Sequence, residues 1–268
     1  MRHFPTPDLK PDDTTGASKY YINSPDDYKV MQYLVENTVF KRNEEAIRIK
    51  TRDLGSDGVV LGRVDRCPYQ KILIELAGAQ QFLIDLYTNP EPVLELMDEM
   101  DRKMDEAFSM IIESGVEVIW QPDNITSDMT PPDCFKKYCL PFYKKHAKQV
   151  KQARKPYIIH MDGRIKALKE LINQAGFSGI ESLSFPDIGG DYTLTEARND
   201  FHDMVIIPNF PSNLCIRKDE EIIDFITNLK AEAGDEIPFM LQVSEDLDDS
   251  QWMRVLPMLT RIFQSMPQ

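Results

Sequence analysis

Long apolar runs are absent. Nothing in the 268 residues approaches the roughly 18–20 consecutive apolar positions that a membrane-spanning helix requires, which excludes a helical membrane protein. The N-terminus, Met1-Arg2-His3-Phe4-Pro5-Thr6-Pro7-Asp8, has no apolar segment of the secretory kind, so the expected location is the cytoplasm. Positive charge is scarce. With 31 Lys+Arg against 44 Asp+Glu the net charge is −13, which argues against nucleic acid as a partner, because phosphate binding needs a clustered cationic surface. Cysteine is sparse too. Cys67, Cys134, Cys139 and Cys215 form no CxxC pair, so zinc-ribbon and thioredoxin-like readings fall away and the thiols read as small buried side chains. Neither GxGxxG nor GxxxxGK[ST] occurs, which removes the strongest signals of a nucleotide-binding doubly wound sheet.

What is there is an ordinary globular composition, 42% hydrophobic and 28% charged, arranged as alternating short apolar runs and longer amphipathic stretches. Residues 1–23 are rich in Pro, Asp, Thr and Lys and read as an extended arm, and residues 24–268 as one domain. Ser24-Pro25-Asp26-Asp27 opens a helix, with Ser as cap, Pro in the first turn and acids beside it. Strands are expected at Gly58–Gly62, Val116–Trp120, Pro156–His160, Gly179–Leu183, Met204–Ile207 and Pro238–Val243. Most are near-continuous apolar runs, as parallel strands covered on both faces require.

Helices fall between them. Val93, Met97, Met100, Met104, Ala107 and Ile111 mark one helix face before Gly115, and the Met stripe reads as core. A second helix follows Pro131-Pro132 and buries Phe135, Tyr138, Phe142 and Val150; a third carries Ile165, Leu168, Leu171, Ile172 and Ala175 and stops at Gly176. Thr193-Leu194-Thr195-Glu196 has the form of a capping box. The last helix begins near Ser250, buries Trp252, Leu256, Leu259 and Phe263, and should kink or lose its first turn at Pro257. Repeated strand–helix units imply an α/β fold with parallel strands, and a (β/α)8 barrel competes with an open doubly wound sheet.

The strand ends decide where chemistry is sought, because barrel enzymes carry it on the loops after their strands. Those ends are polar here: Gln121-Pro122-Asp123-Asn124, His160-Met161-Asp162-Gly163, Glu181 with Ser182 and Ser184, Pro208-Asn209, and Ser244-Glu245-Asp246. In a closed barrel Asp123, Asp162, Glu245 and His160 would converge on one pocket, and such a cluster needs a metal, a cationic substrate or shared protons. Each has a plain alternative: Asp162 and Glu245 as helix caps, Asp123 as a turn former, Glu181 as a solvent-facing strand residue. His146, between Phe142 and Val150 on a helix face, reads as structural, and His3 and His202 as incidental.

The run Ala77-Gly78-Ala79-Gln80-Gln81-Phe82-Leu83-Ile84-Asp85-Leu86-Tyr87-Thr88-Asn89-Pro90-Glu91 resembles a segment typical of the uroporphyrinogen decarboxylase superfamily. The likeness continues through Pro131–Pro141, His160-Met161-Asp162-Gly163, Gly189–Arg198 and Ser244-Glu245-Asp246-Leu247, from about Ser24 to the C-terminus. The resemblance implies a (β/α)8, TIM-barrel-like fold, here short at its front end by one or two β/α units. It also implies one of two activities: cofactor-free decarboxylation of uroporphyrinogen side chains, or methyl transfer to or from a corrinoid protein beside a zinc ion.

The methyltransferase branch uses a His-x-Cys pair and a later Cys. His160 matches the histidine, whereas Asp162 stands for the first Cys and Ser244 lies near the second. Loss of both thiolates leaves a harder N/O site for zinc or another divalent metal, with His160 and Asp162 as ligands. Asp123, Glu181 and Glu245 would then supply charge or proton transfer, and Asn209 would face a cofactor. The Arg-rich signature of the decarboxylase branch is missing, and a polycarboxylate suits a chain of charge −13 poorly. The leading expectation is therefore a corrinoid-dependent methyltransferase with a corrinoid protein and a small methylated substrate as partners, and a homodimer by analogy alone. Porphyrinogen decarboxylation, or a barrel that binds a corrinoid or tetrapyrrole without chemistry, are the rivals.

Overall fold

Five short apolar runs pair side by side in the order in which the chain meets them. The computed structural model describes residues 20–56, 58–234, 240–243, 247 and 250–265. The strands are β1 (Leu61–Arg63), β2 (Val118–Gln121), β3 (Tyr157–His160), β4 (Gly179–Leu183) and β5 (Val205–Pro208), joined β1-β2-β3-β4-β5 and parallel throughout. A doubly wound sheet reverses its strand order at a switch point, and this sheet does not. A parallel bridge between Asn209 and Gln242 continues the same order toward the sixth expected strand. The fold is α/β and TIM-barrel-like, as expected. Among the described residues the N-terminal part is helical (Pro25–Glu36 and Glu44–Leu54), and no strand precedes Leu61. No described helix is long and apolar enough to cross a membrane.

The chain divides into two compact units, and the division falls inside the Pro90–Glu113 helix. The first, residues 1–41 and 66–107, is helical in its described part. Ser24 opens its first helix as expected, its N–H and hydroxyl both donating to Asp27 (2.8 and 2.9 Å). Tyr28 and Asp85 lock that helix to Ala79–Thr88, the phenol donating to Oδ2 at 2.9 Å while Gln81 donates to Oδ1 at 2.8 Å. Burial first, then the Asp85 carboxylate, push the Tyr28 phenol well above its usual range, so it stays a donor. Ile22, from the expected arm, is buried, and its N–H donates to the Leu76 carbonyl.

The second unit, residues 42–65 and 108–268, holds the whole sheet. Its helix Leu140–Gln152 is entered through a widened π turn at Phe135–Cys139, just before Pro141, which has no N–H to continue the i→i−4 ladder. His146 stacks on Phe108 at 3.9 Å and meets Phe142 edge-on. Lys169–Ala175 stops at Gly176 in the left-handed conformation, and Thr193 and Glu196 form the expected capping box. Gly190 cannot be replaced, because a Cβ there would lie 1.8 Å from the Ser184 carbonyl oxygen.

Two expectations are corrected in their detail. Pairing of β1 starts at Leu61, opposite Val118, rather than at Gly58, because residues before Val118 make no ladder; the Val116 carbonyl instead accepts from Lys155 Nζ. The last helix, Trp252–Ser265, runs through Pro257 and buries Val255, Met258 and Leu259 against Phe210, Ile222 and Ile226. Trp252 and Leu256, expected inside, are exposed.

Candidate functional site

Alternation along parallel strands assigns each polar strand-end residue to one of the two sheet faces. Arg63 pairs with Trp120, and His160 with Glu181, in register. With Ile158 opposite Trp120, all four of those side chains belong to one face. Gln121, Ile159 and Tyr157 belong to the other.

On the first face the groups touch. His160 ends β3, and its Nδ1 donates to Glu181 Oε2 at 2.8 Å; Trp120 Nε1 donates to the same oxygen at 2.7 Å. The Trp120 ring meets the imidazole edge-on, with centroids 6.1 Å apart. Asp162 lies at the opposite edge of the ring, its Oδ2 3.6 Å from Nε2. The side-chain amide of Asn124 donates to Asp162 Oδ2 at 2.9 Å and fixes that carboxylate in turn. The guanidinium of Arg63 sits over the Trp120 ring, 5.8 Å from its centroid. Glu181 is 2% exposed, a correction to its reading as a solvent-facing residue. The side chains of His160 and Asp162 are 16% and 25% exposed, so the site opens on their edge.

The backbone is unusual at the same place. Asn124 (φ 58°) and Ser182 (φ 71°) both adopt left-handed conformations. Asn tolerates that well; a buried Ser inside a strand does so only when its surroundings hold it there. Ser182 sits in the irregularity between Glu181 and Leu183, which sets the Glu181 carboxylate apart from the rest of the ladder. Gly163 is glycine for proximity: a Cβ there would fall 2.7 Å from that of Thr126.

Burial alone would push the His160 imidazole down. The hydrogen bonds and charges of Asp162 and Glu181 outweigh it and raise its pKa to about 9. The ring is therefore a cation at neutral pH, with Nδ1 held by a buried carboxylate and Nε2 at the open edge. Glu181 Oε1 is buried and has no hydrogen-bond partner among the described residues. Leaving such an oxygen unpaired costs about 1–3 kcal/mol, more for a charged group.

This donor set fits a proton better than a zinc ion. Asp162 and Glu181 face opposite ring nitrogens, so the three groups do not converge on a point. Among the described residues His160 Nε2 and Asp162 supply two donors, one short of the three protein ligands usual in a catalytic zinc centre. The Nε2 lone pair that a metal would need carries a proton, and removing it at pH 7 costs about 3 kcal/mol. Ser244 and Glu245, the other expected contributors, lie outside the described residues.

Asp123 belongs elsewhere. It is fully buried on the Gln121 face, where Oδ2 accepts from the Tyr143 hydroxyl at 2.5 Å and Oδ1 from Gln121 Nε2 at 3.3 Å. Gln121 accepts in turn from the Tyr157 hydroxyl at 2.5 Å. Two-residue alternation from Gln121 puts Asp123 in this network and not beside His160. Asp123→Asn is expected to lower the unfolding free energy by about 1–3 kcal/mol in urea titrations, with turnover changed less than about threefold. A hundredfold loss of turnover at unchanged stability would return Asp123 to the chemistry. Asn209 is also fully buried, its N–H donating to the Leu183 carbonyl at 2.9 Å. Trp120 and Arg63 were not among the sequence candidates, and the register pairing at β1–β2 is the signal that finds them; Asn124 and Ser182 appeared in the sequence only as parts of polar strand ends.

A model of the uroporphyrinogen decarboxylase family matches residues 10–240, spanning sequence from both units. No curated protein matches the chain. Fourteen chains of solved structures match, among them a methyltransferase from Methanosarcina mazei, with a TM-score of 0.62 at 15% identity. The match covers 82% of this chain and 63% of that one, so the chain spans less than two thirds of the length of that structure.

Proposed function

The chain belongs to the uroporphyrinogen decarboxylase family, and from that premise we propose that it catalyses acid-assisted transfer of a methyl group from a small substrate to a corrinoid carried by a partner protein. The observation that carries the reading is the His160 imidazolium, clamped at Nδ1 by buried Glu181 and faced at Nε2 by the half-buried Asp162. Cleaving a methyl–heteroatom bond leaves an electron pair on the heteroatom, and a proton from Nε2 neutralises it. Glu181 holds the Nδ1 proton and the ring orientation, and Asp162 faces the nitrogen that solvent must reprotonate. The corrinoid, when bound, would supply the methyl-accepting cobalt. The sheet face that carries the site is reachable, with Leu61 43% exposed and Arg63 exposed at its border. The methyltransferase from Methanosarcina mazei shares the fold, and the resemblance of the His160-x-Asp162 run to that branch's His-x-Cys pair supports methyl transfer.

A second reading is decarboxylation of a tetrapyrrole carboxylate, favoured by Arg63, a cation on the same face that stacks on Trp120 and makes no ion pair among the described residues. It uses the same acid, with the proton delivered to carbon after loss of CO2.

The test follows methylcobalamin formation from cob(I)alamin with a panel of methyl ethers, methylamines and methyl thioethers. Catalysis above buffer that is lost in His160→Asn is the expected result. Loss of CO2 from uroporphyrinogen III with no methylation would transfer the proposal to the second reading. Elemental mass spectrometry on the same samples should find zinc well below one per chain. Near-stoichiometric zinc that His160→Ala abolishes would overturn the proton site in favour of a metal.

A further inference from the structure

Glu181 has two carboxylate oxygens, and the fold occupies only one. Oε2 takes both the His160 and the Trp120 donors, at 2.8 and 2.7 Å, while the buried Oε1 has no partner among the described residues. A strand irregularity and the left-handed Ser182 behind it hold the carboxylate in this half-used state. Buried polar atoms without partners are rare in native proteins and call for an explanation.

We propose that Glu181 Oε1 is the anchor for a protonated amine of the substrate, approaching past the half-buried edge formed by His160 and Asp162. The inference rests on the acid reading above. Charge selects the donor. A buried carboxylate oxygen that accepts nothing favours a charged N–H over a neutral hydroxyl or water, because charge-assisted hydrogen bonds are the stronger ones. Arg63 is exposed and stacked on the indole, where solvent screens it. Geometry adds a second condition. Oε1 lies beyond the Nδ1 edge of the ring and the transferred proton leaves from Nε2, so the amine and the protonated heteroatom are different atoms. The substrate class is a methylated heteroatom carrying a separate ammonium group.

The chain has two tryptophans, and the Trp120 indole N–H donates to the carboxylate in question. Indole 15N–1H spectra of the full chain therefore give two signals, assigned with Trp252→Phe. Three probes are titrated: 2-methoxyethylammonium, which has charge and donor; (2-methoxyethyl)trimethylammonium, which has charge alone; and 2-methoxyethanol, which has a neutral donor. The first is expected to move the Trp120 signal saturably, with affinity at least about tenfold above the other two. Glu181→Gln keeps the shape but replaces the unpaired acceptor with an amide donor, and should lose the response while the Trp252 signal stays in place. No saturable shift, equal affinity for either control probe, or a response that survives in E181Q would each overturn the proposal. The three-probe comparison on the wild type decides the matter should E181Q fail to fold. Ammonium binding without methyl transfer would sink the methyl-transfer reading alone. Transfer from neutral ethers without an ammonium response would sink only this one.

Discussion

His160→Asn lowers kcat/KM for methyl transfer by about 10²–10⁴-fold, the range that a positioned general acid contributes, or about 3–5 kcal/mol of barrier. The loss should fall mainly on kcat, because Nε2 acts on the leaving heteroatom only as the bond breaks. The pH profile carries the sharper test. The acid must be protonated, so kcat/KM should be flat below the His160 pKa and fall about tenfold per unit above roughly 9. Glu181→Gln removes one of the two charges that raise that pKa and should move the alkaline limb toward neutral pH. An alkaline limb unmoved by Glu181→Gln, or His160→Asn with wild-type turnover, would remove His160 from the chemistry whatever the reaction is.

The same ring makes stability depend on pH. Its pKa rises from 6.5 in the unfolded chain to about 9 in the folded one, so folding favours the proton-bound form. The gain is complete below about pH 6.5, shrinks as pH rises, and is gone above 9. A difference of this size corresponds to about 3 kcal/mol. Urea titrations of wild type and His160→Gln at intervals from pH 6 to pH 10 should therefore converge, the wild type losing about 3 kcal/mol more than the variant over that range. Parallel curves would mean that the two carboxylates do not hold the ring charged in solution.

The sheet was the legible part. Buried parallel strands write themselves as apolar runs, so β2, β3, β4 and β5 fall within a residue or two of their expected places. The polar strand ends were legible for the same reason, since nothing in a run such as Tyr157-Ile158-Ile159-His160 explains its last residue except what lies beyond it. Pairing was not. That His160 meets Glu181, 21 positions away, follows from the β3–β4 register, which no local pattern encodes. Asp123 looked equivalent to Asp162 because both follow a strand end, yet one step of alternation sends it among Tyr143 and Gln121. Trp252 and Leu256 went wrong by rotation: the last helix is apolar over more than one stripe, and periodicity alone cannot choose which stripe meets Phe210.

The strand β1 has one more consequence. It is three residues long and comes first in the strand order, so among the described residues its outer backbone groups meet no further strand. An open edge of parallel sheet is a template on which a second molecule can add its own strand, the first step toward aggregation. Here the template is about 10 Å long and ends in a charged, exposed Arg63. A strand so short gives an intruder few hydrogen bonds, and the guanidinium must be stripped of water for it to dock. Lengthening β1 or replacing Arg63 by valine would therefore be felt in the shelf life of concentrated protein before it was felt in its fold.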